Sequence, residues 1–145
     1  MSADDEQTLY ELVGGEPFFG RLVDRFYEGV ETDAVLLPLY PEAPDLSGAR
    51  HRLRLFLVQY WGGPTTYMDE RGHPRLRMRH MPFHVGPAER DRWLVHMAHA
   101  VEQTCAELEP ELAATVHDRL MAYFTPAAEH LRNDTGLPIS SRRPG

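Results

Sequence analysis

The sequence of 145 residues has one cysteine and no lysine. Cys105 alone cannot form an internal disulfide, which fits a reducing compartment. All fifteen basic residues are arginine, and we attribute that bias to overall composition rather than to a site. No apolar stretch approaches the ~20 residues that a membrane-spanning helix needs. The N-terminal MSADDEQTLYELVGG lacks the basic patch and apolar run of a signal peptide. We therefore expect a cytoplasmic protein without a membrane span.

Alternation of apolar and polar residues, the pattern of a half-buried strand, is also missing. Apolar residues instead recur every three to four positions, which predicts α-helices. The sequence predicts four long amphipathic helices and one short one, with starts at or near Pro17, Ser47 (as N-cap), Pro74, Pro87 and Pro110. Gly62 and Gly63 end the second helix. Residues 65–72 show no period and are predicted to form a loop, and the short helix is predicted to span Pro74–His80.

The apolar stripes of the four long helices predict the core of an all-α domain. In chain order they are Phe19, Val23, Phe26, Tyr27 and Val30; Ala49, Leu53, Phe56, Leu57 and Tyr60; Trp93, Met97, Ala100, Val101 and Thr104; and Leu112, Val116, Leu120, Tyr123, Ala127 and Leu131. We expect one domain over residues 1–133 and a flexible tail over 134–145.

Positive charge is scarce overall but concentrated in the middle of the chain. The net charge of −7 argues against a general nucleic-acid-binding protein. Between Arg50 and Arg79, however, seven arginines accompany only two acids, Asp69 and Glu70. This segment is either a solvated helix face or the binding site of an anion.

Eight histidines offer candidate metal ligands, but most known patterns are missing. A carboxylate-bridged di-iron bundle needs two Glu-x-x-His pairs, and only Glu70 with His73 matches. A zinc protease needs His-Glu-x-x-His, and no histidine here precedes a glutamate. His96 and His99 have the spacing of a partial zinc site that lacks further ligands. Cys105 is predicted to be a buried, inert thiol rather than a nucleophile.

His80 stands apart because of its neighbours. It lies at the predicted end of a short helix, four residues after Leu76 and therefore on the same face. Met78 and Phe83 are apolar groups able to contact a ring system, and the adjacent arginines can pair with carboxylates. A flat apolar ring bearing two carboxylates describes haem, and histidine is a common axial ligand. Spacing alone leaves open whether His80 is a ligand or a surface histidine.

Four segments together resemble the truncated haemoglobins, specifically their group II or O-type branch. They are FYEGVETDAVLLPLYP from Phe26, RLFLVQYWGGPTTY from Arg54, RGHPRLRMRHMPF from Arg71 and ERDRWL from Glu89. They occur in the family's order, and the resemblance covers about residues 9 to 132. The combination is specific, whereas any one segment alone would be weak evidence.

The resemblance implies a truncated globin fold, a two-over-two helical sandwich around haem b. It implies that His80 is the proximal iron ligand and that Tyr27, Tyr40 and Trp93 stabilise a ligand on the distal side. The distal pocket would be lined by Ala49, Leu53 and Phe56. The remaining implied contacts to haem and its propionates are Arg52, Tyr67, Leu76, Arg77, Met78, Arg79 and Phe83.

The implied function is binding of O2, CO and NO at ferrous iron. A polar distal pocket favours redox chemistry on these ligands, such as nitric oxide dioxygenase or peroxidase-like activity, over bulk oxygen transport. Such chemistry needs a reductase that the sequence does not identify, and the protein is either a monomer or a homo-oligomer. Two alternatives stay open: an oxygen or redox sensor acting through a separate partner, and a structural helical domain without a cofactor.

Overall fold

A computed structural model describes residues 7–40, 42–71 and 86–131 of the chain. These ranges contain α-helices and one short 3₁₀ turn but no strand, so the predicted all-α fold is confirmed for them. Their α-helices are α1 (Leu9–Leu12), α2 (Glu16–Glu31), α3 (Ser47–Tyr60), α4 (Thr66–Arg71), α5 (Pro87–Cys105) and α6 (Pro110–Leu131). The 3₁₀ turn covers Leu37–Leu39, between α2 and α3. No helix in the described ranges is long and apolar enough to cross a membrane.

The single turn α1 is an element that the periodicity did not reveal. Its N-cap Thr8 accepts a hydrogen bond from the Glu11 N–H (3.1 Å), and the Glu11 carboxylate accepts one from the Thr8 N–H (3.2 Å). The Tyr10 N–H donates to the Trp61 carbonyl (3.0 Å) and so ties this turn to the end of α3. Gly62 has a φ of 110°, and a Cβ there would lie 2.5 Å from Thr8, so glycine is required where the two segments cross.

Helix α2 begins one residue before the predicted Pro17, which lies in its first turn. All five residues of its predicted stripe are buried, which confirms that prediction. Phe18 and Leu22 are buried as well, so the apolar face is wider than the stripe. The helix therefore lies in the centre of the fold.

Helix α3 differs from its prediction at both ends. Ser47 is its first helical residue rather than its N-cap. The Asp45 carboxylate instead accepts hydrogen bonds from the Ser47 N–H (3.0 Å) and hydroxyl (2.8 Å), because a carboxylate two residues earlier reaches the same groups. At the other end Tyr60 is 52% exposed, so its assignment to the core was wrong. Ala49, Phe56 and Leu57 are buried as predicted, and Leu53 is half-buried.

The predicted loop at residues 65–72 was wrong over the part that the structure describes, because Thr66–Arg71 forms α4. The Thr65 carbonyl accepts a hydrogen bond from the Asp69 N–H (3.1 Å), and the Gln59 side chain accepts one from the Met68 N–H (2.9 Å). Tyr67 is the apolar anchor of this helix at 3% exposure. A helix that buries so few apolar residues leaves no periodicity in the sequence.

The last two helices start at the predicted prolines. The α5 stripe is buried from Met97 onwards, as predicted, whereas Trp93 is half-buried. On α6, Val116 and Leu120 are buried as predicted, but the stripe continues through Phe124 and Ala128. The predicted Tyr123 and Ala127 are half-buried, because the buried row follows a strict spacing of four residues.

The helices pack as two pairs, α2 with α3 and α5 with α6, and the pairs meet where α2 packs on α5. Helix α4 packs on α3. This is the two-over-two arrangement that the resemblance implies. Among the described helices, α3 makes no extensive backbone contact with α5 or α6. The C-terminal end of α3 nevertheless meets α6 through the rings of Tyr60 and Tyr123, whose centroids lie 4.3 Å apart.

Candidate functional site

The three predicted distal donors come together at one place in the fold. Tyr27, buried on α2, meets Tyr40 just after the 3₁₀ turn, with ring centroids 5.6 Å apart at 75°. Trp93 on α5 reaches the same group through Phe26, whose ring centroid lies 5.4 Å away. The Tyr40 hydroxyl interacts electrostatically with the side chains of Tyr27 and Trp93. Residues from α2, α5 and the connecting turn thus form one donor network, which we call the donor triad.

The environment of the donor triad keeps both phenols protonated. Burial raises the pKa of Tyr27 well above its usual 10.0, and the nearby Tyr40 raises it further. Burial raises the pKa of Tyr40 to about 12, although the hydrogen bonds from Tyr27 and Trp93 act in the opposite direction. The triad therefore offers neutral O–H and N–H groups at physiological pH.

Two arginines of the basic segment flank the donor triad. The Arg50 guanidinium lies 5.9 Å from the centre of the Tyr27 ring and pairs with Asp24 (3.0 Å) and Glu31 (2.7 Å). Arg52, a predicted propionate contact, pairs with the exposed Glu42 at 3.3 Å. Exposed ion pairs of this kind contribute little stability, so Arg52 can exchange its partner for another carboxylate at small cost.

The predicted pocket-lining residues share one face of α3. Ala49, Leu53 and Phe56 are spaced by four and three residues, which places them on one side of the helix. The Phe56 ring contacts the ring of Tyr67 on α4, another predicted haem contact, with centroids 5.5 Å apart. These residues form an apolar surface that runs from α3 to α4.

The remaining predicted site residues lie outside the described residues. They are the proximal ligand and its neighbours, namely Leu76, Arg77, Met78, Arg79, His80 and Phe83. The predicted helix Pro74–His80 also lies there.

A wall of aromatic side chains between α3 and α6 was missed by the sequence reasoning. Tyr60 and Tyr123 have ring centroids 4.3 Å apart, and Trp61 contacts both rings. Phe124 continues the wall to Trp93 at 6.0 Å. The signal was present as adjacent aromatic pairs, Tyr60-Trp61 and Tyr123-Phe124, but only the tertiary packing brings them together.

This wall fits a flat apolar group with polar edges. The Trp61 indole nitrogen is buried without a hydrogen-bond partner among the residues that the structure describes. Buried N–H groups normally have partners, so an unpaired one is typical of a site that a ligand or water completes. The half-buried Leu53 and Trp93 and this orphaned donor together suit haem.

A second polar cluster, also missed, joins the end of α2 to α5. The Asp33 side chain is 4% exposed and contacts His96 (2.8 Å) and Arg92 (3.2 Å). Burial acts to raise the pKa of Asp33, but hydrogen bonds from His96, Val35, Arg92 and Leu36 outweigh it and lower the pKa from 3.8 to about 2. The sequence offered an acid at position 33 and two bases at positions 92 and 96, and no local pattern showed that they meet.

The alternative sites considered from the sequence find no support among the described residues. No group of three or more histidine, cysteine or acidic side chains there could hold a metal ion. Cys105 is buried as predicted, and burial raises the pKa of its thiol to about 11, which disfavours the reactive thiolate.

Comparison with known proteins identifies the family of this chain. A profile of the bacterial-like globins matches residues 8–129. The chain belongs to this family. It is 38% identical over 126 residues to the group 2 truncated haemoglobin YjbI of Bacillus subtilis (strain 168), covering 87% of this chain and 89% of that protein.

Solved structures agree with this assignment. A thermostable haemoglobin from the actinobacterium Thermobifida fusca is 53% identical with a TM-score of 0.80, covering 89% of this chain and 99% of that one. The truncated oxygen-avid haemoglobin from Bacillus subtilis is 35% identical with a TM-score of 0.75, covering 88% of this chain and all of that one (100%). This truncated haemoglobin therefore binds haem and diatomic gases, and the two-over-two fold is confirmed.

Proposed function

We propose that this globin holds haem b through His80 and uses the donor triad of Tyr27, Tyr40 and Trp93 to retain O2, CO or NO for redox chemistry. When bound, the haem iron supplies the coordination site for the gas. The observation that carries the proposal is the triad itself: three neutral donors from three elements at one buried site.

The triad suits a ligand that gains partial negative charge. Oxygen on ferrous iron withdraws electron density, so O–H and N–H donors stabilise it. Phenols that stay protonated and an indole can donate without adding a full charge to an apolar pocket. Each hydrogen bond contributes about 1 kcal/mol net, and about 1.4 kcal/mol is a factor of ten in an equilibrium constant. Each of these donors that turns to the bound gas therefore slows its release by about five- to tenfold.

Slow release favours chemistry on the ligand over transport. A protein that retains oxygen delivers it poorly, but gives a second reactant such as nitric oxide or peroxide time to arrive. The truncated haemoglobin from Bacillus subtilis that is 35% identical to this chain is oxygen-avid, which supports strong retention here. Turnover then requires an electron donor, for which we propose a separate reductase in the cytoplasm.

The basic segment supports binding of the haem propionates. Arg52, Arg77 and Arg79 would pair with the carboxylates, and Arg52 already contacts an exchangeable carboxylate of Glu42. Ala49, Leu53, Phe56 and Tyr67 would cover the ring. The proposed ring contacts from the other segment are Leu76, Met78 and Phe83.

The first test is the visible spectrum of the haem-supplemented protein, with and without carbon monoxide. We expect a Soret band that shifts with carbon monoxide and is lost or greatly weakened in His80→Ala. His117→Ala is the matched control, because His117 pairs with Asp118 on the surface of α6, and it should keep the spectrum. A colourless wild type, or an unchanged spectrum in His80→Ala, contradicts the proposal.

The second test concerns the donors. Stopped-flow oxygen dissociation should accelerate about tenfold in Trp93→Phe and in Tyr40→Phe, the effect expected from the loss of one hydrogen bond. Rates equal to wild type in both variants would refute the donor role while leaving haem binding intact.

A further inference from the structure

Asp33 is a buried carboxylate that lies outside the donor triad. It follows the end of α2, and its side chain is almost completely enclosed. One carboxylate oxygen, Oδ1, accepts hydrogen bonds from the N–H groups of Val35 (2.9 Å) and Leu36 (3.3 Å). The carboxylate thus fixes the first residues of the turn that leaves α2.

Hydrogen bonds continue from this turn to Tyr40. The Asp33 carbonyl accepts from the Leu37 N–H (2.9 Å), and the Leu37 carbonyl accepts from the Tyr40 N–H (3.1 Å). The Leu36 carbonyl accepts from the Leu39 N–H (2.9 Å) in parallel. The backbone position of Tyr40 therefore depends on a short ladder that starts at Asp33.

The same carboxylate also reaches α5 on both sides of Trp93. Arg92 donates to both carboxylate oxygens at 3.2 Å, and the His96 Nε2 lies 2.8 Å from Oδ2. Arg92 and His96 are one helical turn apart, with Trp93 between them in the chain. Contacts before and after Trp93 limit both rotation and sliding of this part of α5.

The approach of α5 to α2 at this point is unusually close. A Cβ on Gly29 would lie 2.3 Å from the His96 Nδ1, so the imidazole packs directly on the α2 backbone, two residues after Tyr27. The anchor at Asp33 thus lies beside all three elements that carry the donor triad.

We propose that Asp33 is a positioning residue that holds the donor triad in register, by fixing the turn to Tyr40 and the segment of α5 around Trp93. The inference rests on the proposed function, because it concerns the orientation of the same donors. Capping alone does not explain a charged residue at this position. A neutral side chain could also accept hydrogen bonds from the Val35 and Leu36 N–H groups, and it would cost less to bury than a carboxylate. The carboxylate adds what a neutral cap lacks, a strong bond to two bases on another helix. Support from outside the ligand-contacting residues is what keeps donors within reach of their target.

The test compares haem-loaded variants by readouts that a change in overall stability alone would not alter. The variants are Asp33→Asn, which weakens the link to α5, and His96→Phe, which keeps Asp33 and its turn. Glu107→Gln is the matched control, since Glu107 joins Arg21 (2.8 Å) and Arg25 (2.6 Å) away from the triad. The readouts are the stretching frequency of bound carbon monoxide, oxygen dissociation, and hydrogen exchange of the Trp93 indole N–H with that of Trp61 as internal reference.

We expect Asp33→Asn and His96→Phe to shift or split the carbon monoxide band and to speed oxygen dissociation about three- to tenfold, as for partial loss of one hydrogen bond. Exchange of the Trp93 indole should accelerate while that of Trp61 stays unchanged. Glu107→Gln should match wild type in all three readouts. If Asp33→Asn does not take up haem, His96→Phe decides.

Two results would overturn the inference, and only the second would also overturn the proposed donor function. Wild-type readouts in both variants, with an altered carbon monoxide band in Trp93→Phe, would remove the role of Asp33 and leave the donor triad standing. Wild-type readouts in Trp93→Phe and Tyr40→Phe as well would remove the proposed donor function together with its positioning residue.

Discussion

At the scale of single residues, the phenols of Tyr27, Tyr40 and Tyr123 lie where a negative charge is poorly solvated. Burial raises the pKa of Tyr40 and of Tyr123 to about 12. It raises the pKa of Tyr27 well above the usual 10.0. In an ultraviolet titration we expect three of the six tyrosines to ionise late. Folding stability should decline as pH rises from 10 towards 12, because the unfolded chain releases these protons first.

The assignment of this titration can be checked by substitution. Tyr27→Phe and Tyr40→Phe should each remove one late-titrating group. Ionisation of all the tyrosines in a single step near the ordinary value would contradict the buried network.

Asp33 gives the corresponding prediction in acid. Its pKa in the folded protein, about 2, lies below the unfolded value of 3.8, because hydrogen bonds from His96 and its other partners outweigh burial. The stabilisation is therefore present above pH 3.8 and is lost as pH falls through about 2. Asp33→Asn should lower the free energy of unfolding at neutral pH by about 2 kcal/mol and reduce the acid slope.

Urea unfolding of wild type and Asp33→Asn at pH values on both sides of this window measures the effect. Glu107→Gln serves as the exposed-carboxylate control and should unfold like wild type, because exposed ion pairs contribute little. Equal acid slopes in wild type and Asp33→Asn would show that the carboxylate is not stabilised by its partners.

The residues of the site differed in how far the sequence could identify them. Periodicity placed Tyr27 and Trp93 only on the apolar faces of their helices, and their role as donors came from the resemblance. The pairing of Asp33 with His96 joins positions 63 residues apart, which no local pattern encodes. The contact between the rings of Trp61 and Tyr123 also depends on tertiary packing, and no local pattern predicts it.

At the scale of elements, the close crossing of α2 and α5 depends on glycine at position 29. A Cβ at Gly29 would fall 2.3 Å from the His96 ring, whereas one at Gly20, on the same helix, would meet only Arg54 at 3.9 Å. Gly29→Ala should destabilise the protein by about 1–3 kcal/mol, because the helices must move apart. Gly20→Ala should be neutral or stabilise it by up to about 1 kcal/mol through higher helix propensity.

Thermal or urea unfolding of the two variants measures this difference. Gly29→Ala should also speed oxygen dissociation, because His96 and with it the α5 segment around Trp93 are displaced. A variant as stable as Gly20→Ala would mean that His96 has room to rotate away.

Which elements the sequence could predict depended on how much apolar surface each one buries. Helices α2, α5 and α6 bury continuous rows, so their positions were predicted from spacing. Helix α4 buries little besides Tyr67, and α1 is held by Thr8 and Glu11, so neither produced a period. The row on α6 shifted from Tyr123 to Phe124 because only the packing against α5 decides which of two adjacent aromatics faces inward.

At the scale of the whole molecule, the helix pairs meet mainly through α2. Helix α3 contacts α2 and α4, while among the described helices α5 and α6 lie apart from it except through the aromatic wall. A group bound between them joins the two halves of the fold. Since such a ligand binds the folded chain, it stabilises it by about 4.1 kcal/mol when free haem is 1,000 times its Kd.

Haem loading should therefore raise the Tm of wild type by several degrees, and the increase should follow the free haem concentration. His80→Ala should lose most of this increase, because the proposed coordinate bond would no longer hold the group, whereas His117→Ala should keep it. The Trp61 indole N–H, buried without a partner among the described residues, should also exchange more slowly after loading, because haem then shields it. A Tm and an indole exchange rate that do not change with haem would mean that the space beside α3 is not where the cofactor binds.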